Sequence, residues 1–258
     1  MKFCFFIMFF TLPALTASAN PLNYLKRAIK KDGYIIYRTP LAHSGTGTLV
    51  GGTPNSMSIV TDPQECFPDS IEGKPTNIRK TDETSLGSIN QTSSFEGKVG
   101  VDLLKFMNTA NGIFNIGLGV DVIQTVELSF EGAKMEYIDV IRLQDFYNNH
   151  MSPTCKSMLE HVGFIVQALK VDQMRFAFKN KSGGYLNLKT DGVSEYLNIN
   201  LDVKYHIEQD YILVIDTPKY IGYQLGRLQE KDQGLSMYRA SRTLFNRYLF
   251  KSISIFQQ

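Results

Sequence analysis

The sequence lacks every assembled signature of catalysis or metal binding. Its four histidines, His43, His150, His161 and His206, form no HxxxH or HExxH array and accompany no CxxC pair. Metal binding therefore has nothing to stand on. No Gly-x-Ser-x-Gly elbow occurs, which removes the usual strand-to-helix setting of a serine nucleophile. Gly45-Thr46-Gly47 followed by Gly51-Gly52 lacks the Lys-Ser/Thr of a phosphate loop and reads as a flexible loop. His161 follows Cys155 in the chain, but that spacing does not mark a thiol nucleophile. Asp82-Glu83 reads as a solvated carboxylate pair. The expectation is a protein that is not an enzyme, with no catalytic residues, no cofactor and no metal.

Charge of one sign is also scarce. The formal net charge is +2, and nucleic-acid binding usually needs a strongly basic domain or stripe. Nucleic acid is excluded as a partner. Past the N-terminus no apolar run approaches the roughly 18 residues of a membrane helix. Repeats and low-complexity runs are missing. With 43% hydrophobic and 20% charged residues, the chain is too apolar for intrinsic disorder.

What is present begins at the N-terminus. Lys2 precedes an apolar run, Phe3 to Leu15, interrupted by Cys4, Thr11 and Pro13, and Ala17-Ser18-Ala19 follows. A positive start, a short apolar core and small residues at the cleavage positions make a secretory signal. Residues 1–19 are expected to be removed, leaving Asn20 first and an exported protein of the periplasm or outer membrane. Cys66 and Cys155 then remain, an even number in a chain bound for an oxidising compartment. A Cys66–Cys155 disulfide would close a loop of roughly 90 residues and stabilise the fold by ~4 kcal/mol. Two separate buried thiols are the alternative.

Along the chain, Pro21 to Asp32 reads as a helix with Leu22, Leu25 and Ile29 on one stripe and Lys26, Arg27, Lys30 and Lys31 around it. Tyr34 to Tyr37 is a strand. Ala42 to Lys80 is rich in Gly, Ser, Thr, Pro and Asp, with one strand-like piece at Met57 to Thr61. Such a long irregular stretch is functional or mobile. Phe95 to Leu104 alternates, and Phe114, Ile116, Leu118, Val120 and Val122 alternate with Asn115, Gly117, Gly119 and Asp121. Val126, Leu128 and Phe130 continue that pattern, which is the period of a long strand with one apolar face.

Helices are expected at Glu136 to Asn149 and at Pro153 to His161, the second started by Ser152 and Pro153. Strands follow at Phe164 to Val171 and Met174 to Lys179, then a Ser182-Gly183-Gly184 turn leads into Tyr185 to Leu188. Further strands are expected at Ile199 to Ile207, Tyr211 to Asp216 and Ile221 to Leu228. Leu235 to Phe256 reads as a closing amphipathic helix, with Tyr238, Leu244, Phe245, Tyr248, Leu249 and Ile253 on one side and Arg239, Arg242, Arg247 and Lys251 around it. Strands and helices do not alternate regularly. The class is α+β with a twisted, mainly antiparallel sheet and flanking helices.

Val166-Gln167-Ala168-Leu169-Lys170, leading into Met174 to Phe178, resembles a strand pair of the gasdermin pore-forming domain, bacterial members especially. The run from Pro218 to Leu228, proline-led and alternating with Arg227-Leu228 at its end, resembles that domain's final strand. The order of parts from Asn20 to Leu228 is similar as well. The resemblance implies a pore former that inserts amphipathic hairpins into a bilayer. Phe95–Leu104, Phe114–Phe130, Phe164–Phe178 and Ile199–Asp216 would be the inserting segments. Lys26, Arg27, Lys30 and Lys31 would meet anionic headgroups, each worth about 1 kcal/mol, and Phe114, Ile116, Leu118 and Val120 would meet lipid. It also implies that the tail from Gly234 covers an apolar surface until displaced.

The expected organisation is thus a signal over 1–19, one α+β domain over 20–230 and an amphipathic tail over 231–258. The expected function is membrane action by a non-catalytic, gasdermin-like oligomer. The alternative is a periplasmic structural component of an envelope assembly such as a secretion apparatus, in homo- or hetero-oligomeric form. The partners would be membrane lipids in the first case and envelope proteins in the second. An enzyme using the Ala42–Lys80 loop is the weakest option.

Overall fold

A computed structural model describes residues 30, 33–41, 45–83, 91–94, 114–116, 125–180, 182–187, 197–199, 204–231 and 234–253. The expected signal, the Phe95–Leu104 strand and all of the first helix except Lys30 lie outside these residues. In chain order the strands are β1 (Ile35–Leu41), β2 (Leu49–Thr53), β3 (Ser56–Thr61), β4 (Ser70–Ile71), β5 (Lys74–Pro75), β6 (Arg79–Glu83) and β7 (Gln91–Ser94). They continue with β8 (Phe114–Ile116), β9 (Thr125–Glu131), β10 (Lys134–Ile138), β11 (Gly163–Val171), β12 (Gln173–Lys179) and β13 (Leu197–Ile199). The last are β14 (Tyr205–Glu208), β15 (Ile212–Ile215), β16 (Lys219–Lys231), β17 (Gly234–Leu244) and β18 (Arg247–Ile253). Among the described residues from β1 onward, three helices intervene: α1 (Pro63–Cys66), α2 (Val140–Asn149) and α3 (Pro153–His161).

Two sheets carry the fold, and every pairing in them is antiparallel. In the nine-stranded sheet β11 and β16 lie side by side at the centre. One edge of β16 takes β1 and then β17, and one edge of β11 takes β10 and then β2. The five-stranded sheet has the order β14-β15-β12-β9-β7. Neighbouring residues of β11 face opposite sides of the large sheet, as strand geometry requires. Phe164 packs with Phe67, Phe146, Leu159 and Leu228 on one side, and Ile165 with Tyr37, Tyr223 and Leu225 on the other.

The helices form where their caps predict. Ser152 accepts from the Cys155 amide and Pro153 occupies the first turn of α3. Asp139 caps α2 by accepting from the Ile141 and Arg142 amides. Burial pushes the Asp139 carboxyl up, but Lys80 and those amides outweigh it and hold the group below its ordinary value. α1 and α3 are joined by the Cys66–Cys155 disulfide, inside the cluster around Phe67 and Phe164. The bridged alternative is therefore the one realised.

Four expectations are corrected. Glu136, Tyr137 and Ile138 belong to β10, because pairing with β6 on one side and β11 on the other claims them before α2 starts. Residues 42–80 are not one irregular stretch: they contain β2, β3, α1, β4 and β5. Gly45-Thr46-Gly47 is not a flexible loop either. Thr46 and Thr48 are buried, the Gly47 amide donates to the Ile165 carbonyl, and the Ile165 amide donates to the Thr48 carbonyl. A side chain at Gly45 would stand 2.5 Å from the Tyr220 hydroxyl, so the strap can lie this close to the sheet only with glycine there.

The fourth correction concerns the C-terminus. The expected amphipathic helix is a β-hairpin over its described part, β17 and β18, hydrogen-bonded to β16. Of the apolar positions chosen for helical spacing, Leu249 and Ile253 also fit a two-residue period. Pairing with β16 buries Met237 and Ala240 fully, which a lone helix would not do.

Candidate functional site

The structural feature that sets this fold apart is a bent two-stranded ribbon. β9 runs into β10 through Gly132 and Ala133, and β11 runs into β12 through Asp172. β10 pairs with β11 in the large sheet, and β9 pairs with β12 in the smaller one. β15 passes into β16 through Asp216, Thr217 and Pro218, crossing the same boundary. Three chain segments therefore turn along one line between the sheets.

Local chemistry holds the bend. Gly132 has φ +62°, and a side chain there would come within 2.8 Å of the Asp172 Cβ. That close approach and that backbone region both select glycine. Lys134 Nζ donates to Asp172 Oδ2 at 2.7 Å, and the Asp172 amide donates to the Glu131 carbonyl at 3.0 Å. Gln173 donates to Asp216 at 2.8 Å, linking the third segment. Next to the bend the Tyr220 hydroxyl donates to Glu136, whose carboxylate lies 3.5 Å from Lys170 Nζ. Burial, with the Glu136 charge adding to it, pushes the Tyr220 phenol well above its ordinary range. The Lys219 ammonium, at the start of β16, is held below its usual value by burial.

Beyond the bend the ribbon has two chemically distinct faces. On one, Phe130, Met174, Phe176, Phe178, Leu213 and Ile215 are buried. On the other, charged residues that pair across strands stand around the buried Val214 and Ala177. Arg175 bridges Glu131 at 2.8 Å and Glu208, and Lys179 meets Glu127 at 2.5 Å and the Tyr185 ring at 4.5 Å. His206 lies between Asp216, 2.7 Å away, and Glu208, 3.0 Å away. The charges neutralise one another within the ribbon and its neighbours. Such a surface can face water or a polar lumen at little electrostatic cost.

The sequence-predicted site residues are only partly covered. Lys26, Arg27, Lys31, Leu118 and Val120 lie outside the described residues. Lys30 is helical and exposed. Phe114 and Ile116 lie on β8, where Phe114 opposes Ile199 and Ile116 opposes Leu197. Phe114, at the start of one expected inserting segment, is thus the backbone partner of Ile199, the first residue of another. The bend residues Gly132, Lys134 and Asp172 were missed. Their signal was present as the interruptions between alternating runs, at Gly132 and at Asp172. Among the described residues there is no group of three or more side chains suited to a metal ion. No helix among them is long and apolar enough to cross a membrane.

Among solved structures, the chain is similar to a bacterial gasdermin from Bradyrhizobium tropiciagri. The two are 14% identical, the match covers 83% of this chain and 89% of that chain, and the TM-score is 0.48. The family that the sequence resemblance named is also the family of this solved structure. No protein-family model matches the sequence. No curated protein matches it either.

Proposed function

We propose that this chain is an exported, non-catalytic protein that acts on a membrane, where copies assemble and their amphipathic ribbons join into a pore. One observation carries the reading: the ribbon beyond the bend separates its side chains into an aromatic and aliphatic face and a face of internally paired charges. A strand that crosses a bilayer in a closed barrel needs this division, because one face meets lipid and the other meets water. About 9 to 11 residues suffice to cross. The alternating run from Phe114 to Glu131 supplies that length, and β12, of seven residues, pairs with its end.

Export is supported by the signal-like residues 1–19 and by the Cys66–Cys155 bridge, a bond that persists in oxidising compartments. The bridge joins α1 and α3 and does not touch the ribbon. The ribbon can therefore straighten while the large sheet stays tied.

Release of a dye trapped in vesicles tests the proposal. Protein beginning at Asn20 is expected to empty vesicles of equal parts phosphatidylcholine and phosphatidylglycerol. Ile116→Asp, which puts a charge on the lipid-facing period, is expected to abolish release while leaving the circular dichroism spectrum of the soluble protein unchanged. Intact vesicles, together with recovery of a fixed set of envelope proteins from the native host, would favour the envelope-assembly role.

A further inference from the structure

The β17–β18 hairpin ends in an exposed apolar tip set in a field of unpaired positive charge. Phe245 and Asn246 form its two-residue turn, between the opposed residues Leu244 and Arg247. Both have positive φ, +46° and +59°. Asparagine suits that geometry, whereas phenylalanine does so at a cost in backbone strain. Phe245 is 90% exposed, and Leu244 and Leu249 beside it are 53% and 42% exposed. Folding thus gains nothing from the choice of a strained, solvated phenylalanine.

The tip is held in place. Asn246 Oδ1 accepts from the Asn55 amide at 2.7 Å, and its Nδ2 donates to Thr53 Oγ1 at 3.0 Å. These bonds fasten the turn to the β2–β3 hairpin, whose Ile59 and Val60 are 53% and 45% exposed. Between the hairpins lies a cleft of about 290 Å³ lined by His161, Arg227, Arg247, Tyr248 and Phe250, with the β2–β3 turn as its other wall. No carboxylate lines it. The Arg227 guanidinium stands 5.3 Å over the Phe250 ring.

The charge is unbalanced over the whole hairpin. Residues 234–258 contain Arg239, Arg242, Arg247 and Lys251 and no Asp or Glu. Arg239 and Lys251 oppose each other directly across the strands. Like charges in that position destabilise a sheet unless an anion lies near them. Among the described residues these four and Arg227 form no ion pair.

We infer that the β17–β18 tip docks the protein on an anionic lipid surface, with Phe245 and Leu244 entering the interface and a phosphate headgroup occupying the cleft beside Arg227 and Arg247. The inference rests on the membrane reading above but concerns docking, not pore formation. Aromatic residues at the headgroup level and basic residues facing anionic lipid are the chemistry of interfacial binding.

Sedimentation of the full mature chain with vesicles tests it. Binding to equal parts phosphatidylcholine and phosphatidylglycerol is expected, with little to phosphatidylcholine alone. Phe245→Asn should fold at least as well, because asparagine relaxes the turn, yet bind about tenfold more weakly. Arg247→Gln should cost about fivefold. Both losses together support docking through the tip. Equal binding by wild type and both variants would overturn it while leaving the membrane reading intact. Binding through the tip without dye release would sink pore formation and keep the docking. If the variants change only self-association, seen by analytical ultracentrifugation, the tip contacts a second copy and the inference fails.

Discussion

The two sheets are stabilised by different means. The nine-stranded sheet is covered on both faces, by the Phe67–Phe164 cluster with its disulfide and by the tyrosine cluster around Tyr37 and Tyr223. The five-stranded sheet buries the aromatic and aliphatic side chains of one face and, on the other, sets cross-strand ion pairs around the buried Val214 and Ala177. Burial and a covalent bridge resist rearrangement. Half-exposed ion pairs are worth about 1 kcal/mol or less and are easily exchanged for water. Under the proposed function the difference divides the roles: the large sheet would be the body that stays, and the ribbon beyond Gly132 and Asp172 the part that moves.

Removing the bridge is expected to have the largest effect. Replacing Cys66 and Cys155 together by alanine should lower stability by ~4 kcal/mol on the chain-entropy model. Urea unfolding would measure this, and the loss should fall on the transition of the large sheet. Gly132→Ala attacks the bend itself. It forces a side chain into the left-handed region and against Asp172, and should cost about 1–2 kcal/mol. Because it also dislodges the Lys134–Asp172 pair, it should speed dye release at equal vesicle-bound protein. Slower release would mean that the bend assists the active form instead of restraining it.

The smallest effect is a pH dependence in the body. Asp139 has a depressed carboxyl value, so its contribution is complete above the unfolded value of about 3.9 and is lost as pH falls through the lower folded value. Asp139→Asn, which keeps a capping oxygen but loses the Lys80 ion pair, should remove that acid-side loss. Melting temperatures of both proteins between neutral and acid pH would read the difference. A wild-type profile identical to that of the variant would contradict the assignment.

Much of the strand framework was legible because the alternating runs are long. The sequence-expected strands 164–171, 174–179, 211–216 and 221–228 differ from β11, β12, β15 and β16 mainly at their ends. α3 was legible from Ser152 and Pro153, since a cap is a local signal. The C-terminal hairpin was misread because Leu244, Tyr248 and Leu249 satisfy helical spacing, while Leu249 and Ile253 fit a two-residue period as well, and pairing with β16 decides between the two. That pairing is non-local. Gly45 to Gly47 looked like a loop by composition, yet Gly45 serves close packing against Tyr220 and Gly47 against Phe67 and Pro63. The bend was visible as breaks between runs, but its meaning depends on Lys134 reaching Asp172, a contact between residues distant in the chain.

The central claim is that the ribbon straightens on the membrane while the body stays folded. The direct test is an electron–electron double resonance distance between spin labels at Thr81, an exposed residue of β6, and Ser182, beyond the end of β12. Thr81 opposes Glu136, which opposes Ala168, so the labels bracket the bend. At 3.3 Å per residue, a straight ribbon from 168 to 182 would carry the labels to roughly 45 Å apart. The account predicts that the distance lengthens towards that value on vesicles from which dye is released. Dye release with the distance unchanged from the soluble protein would contradict it.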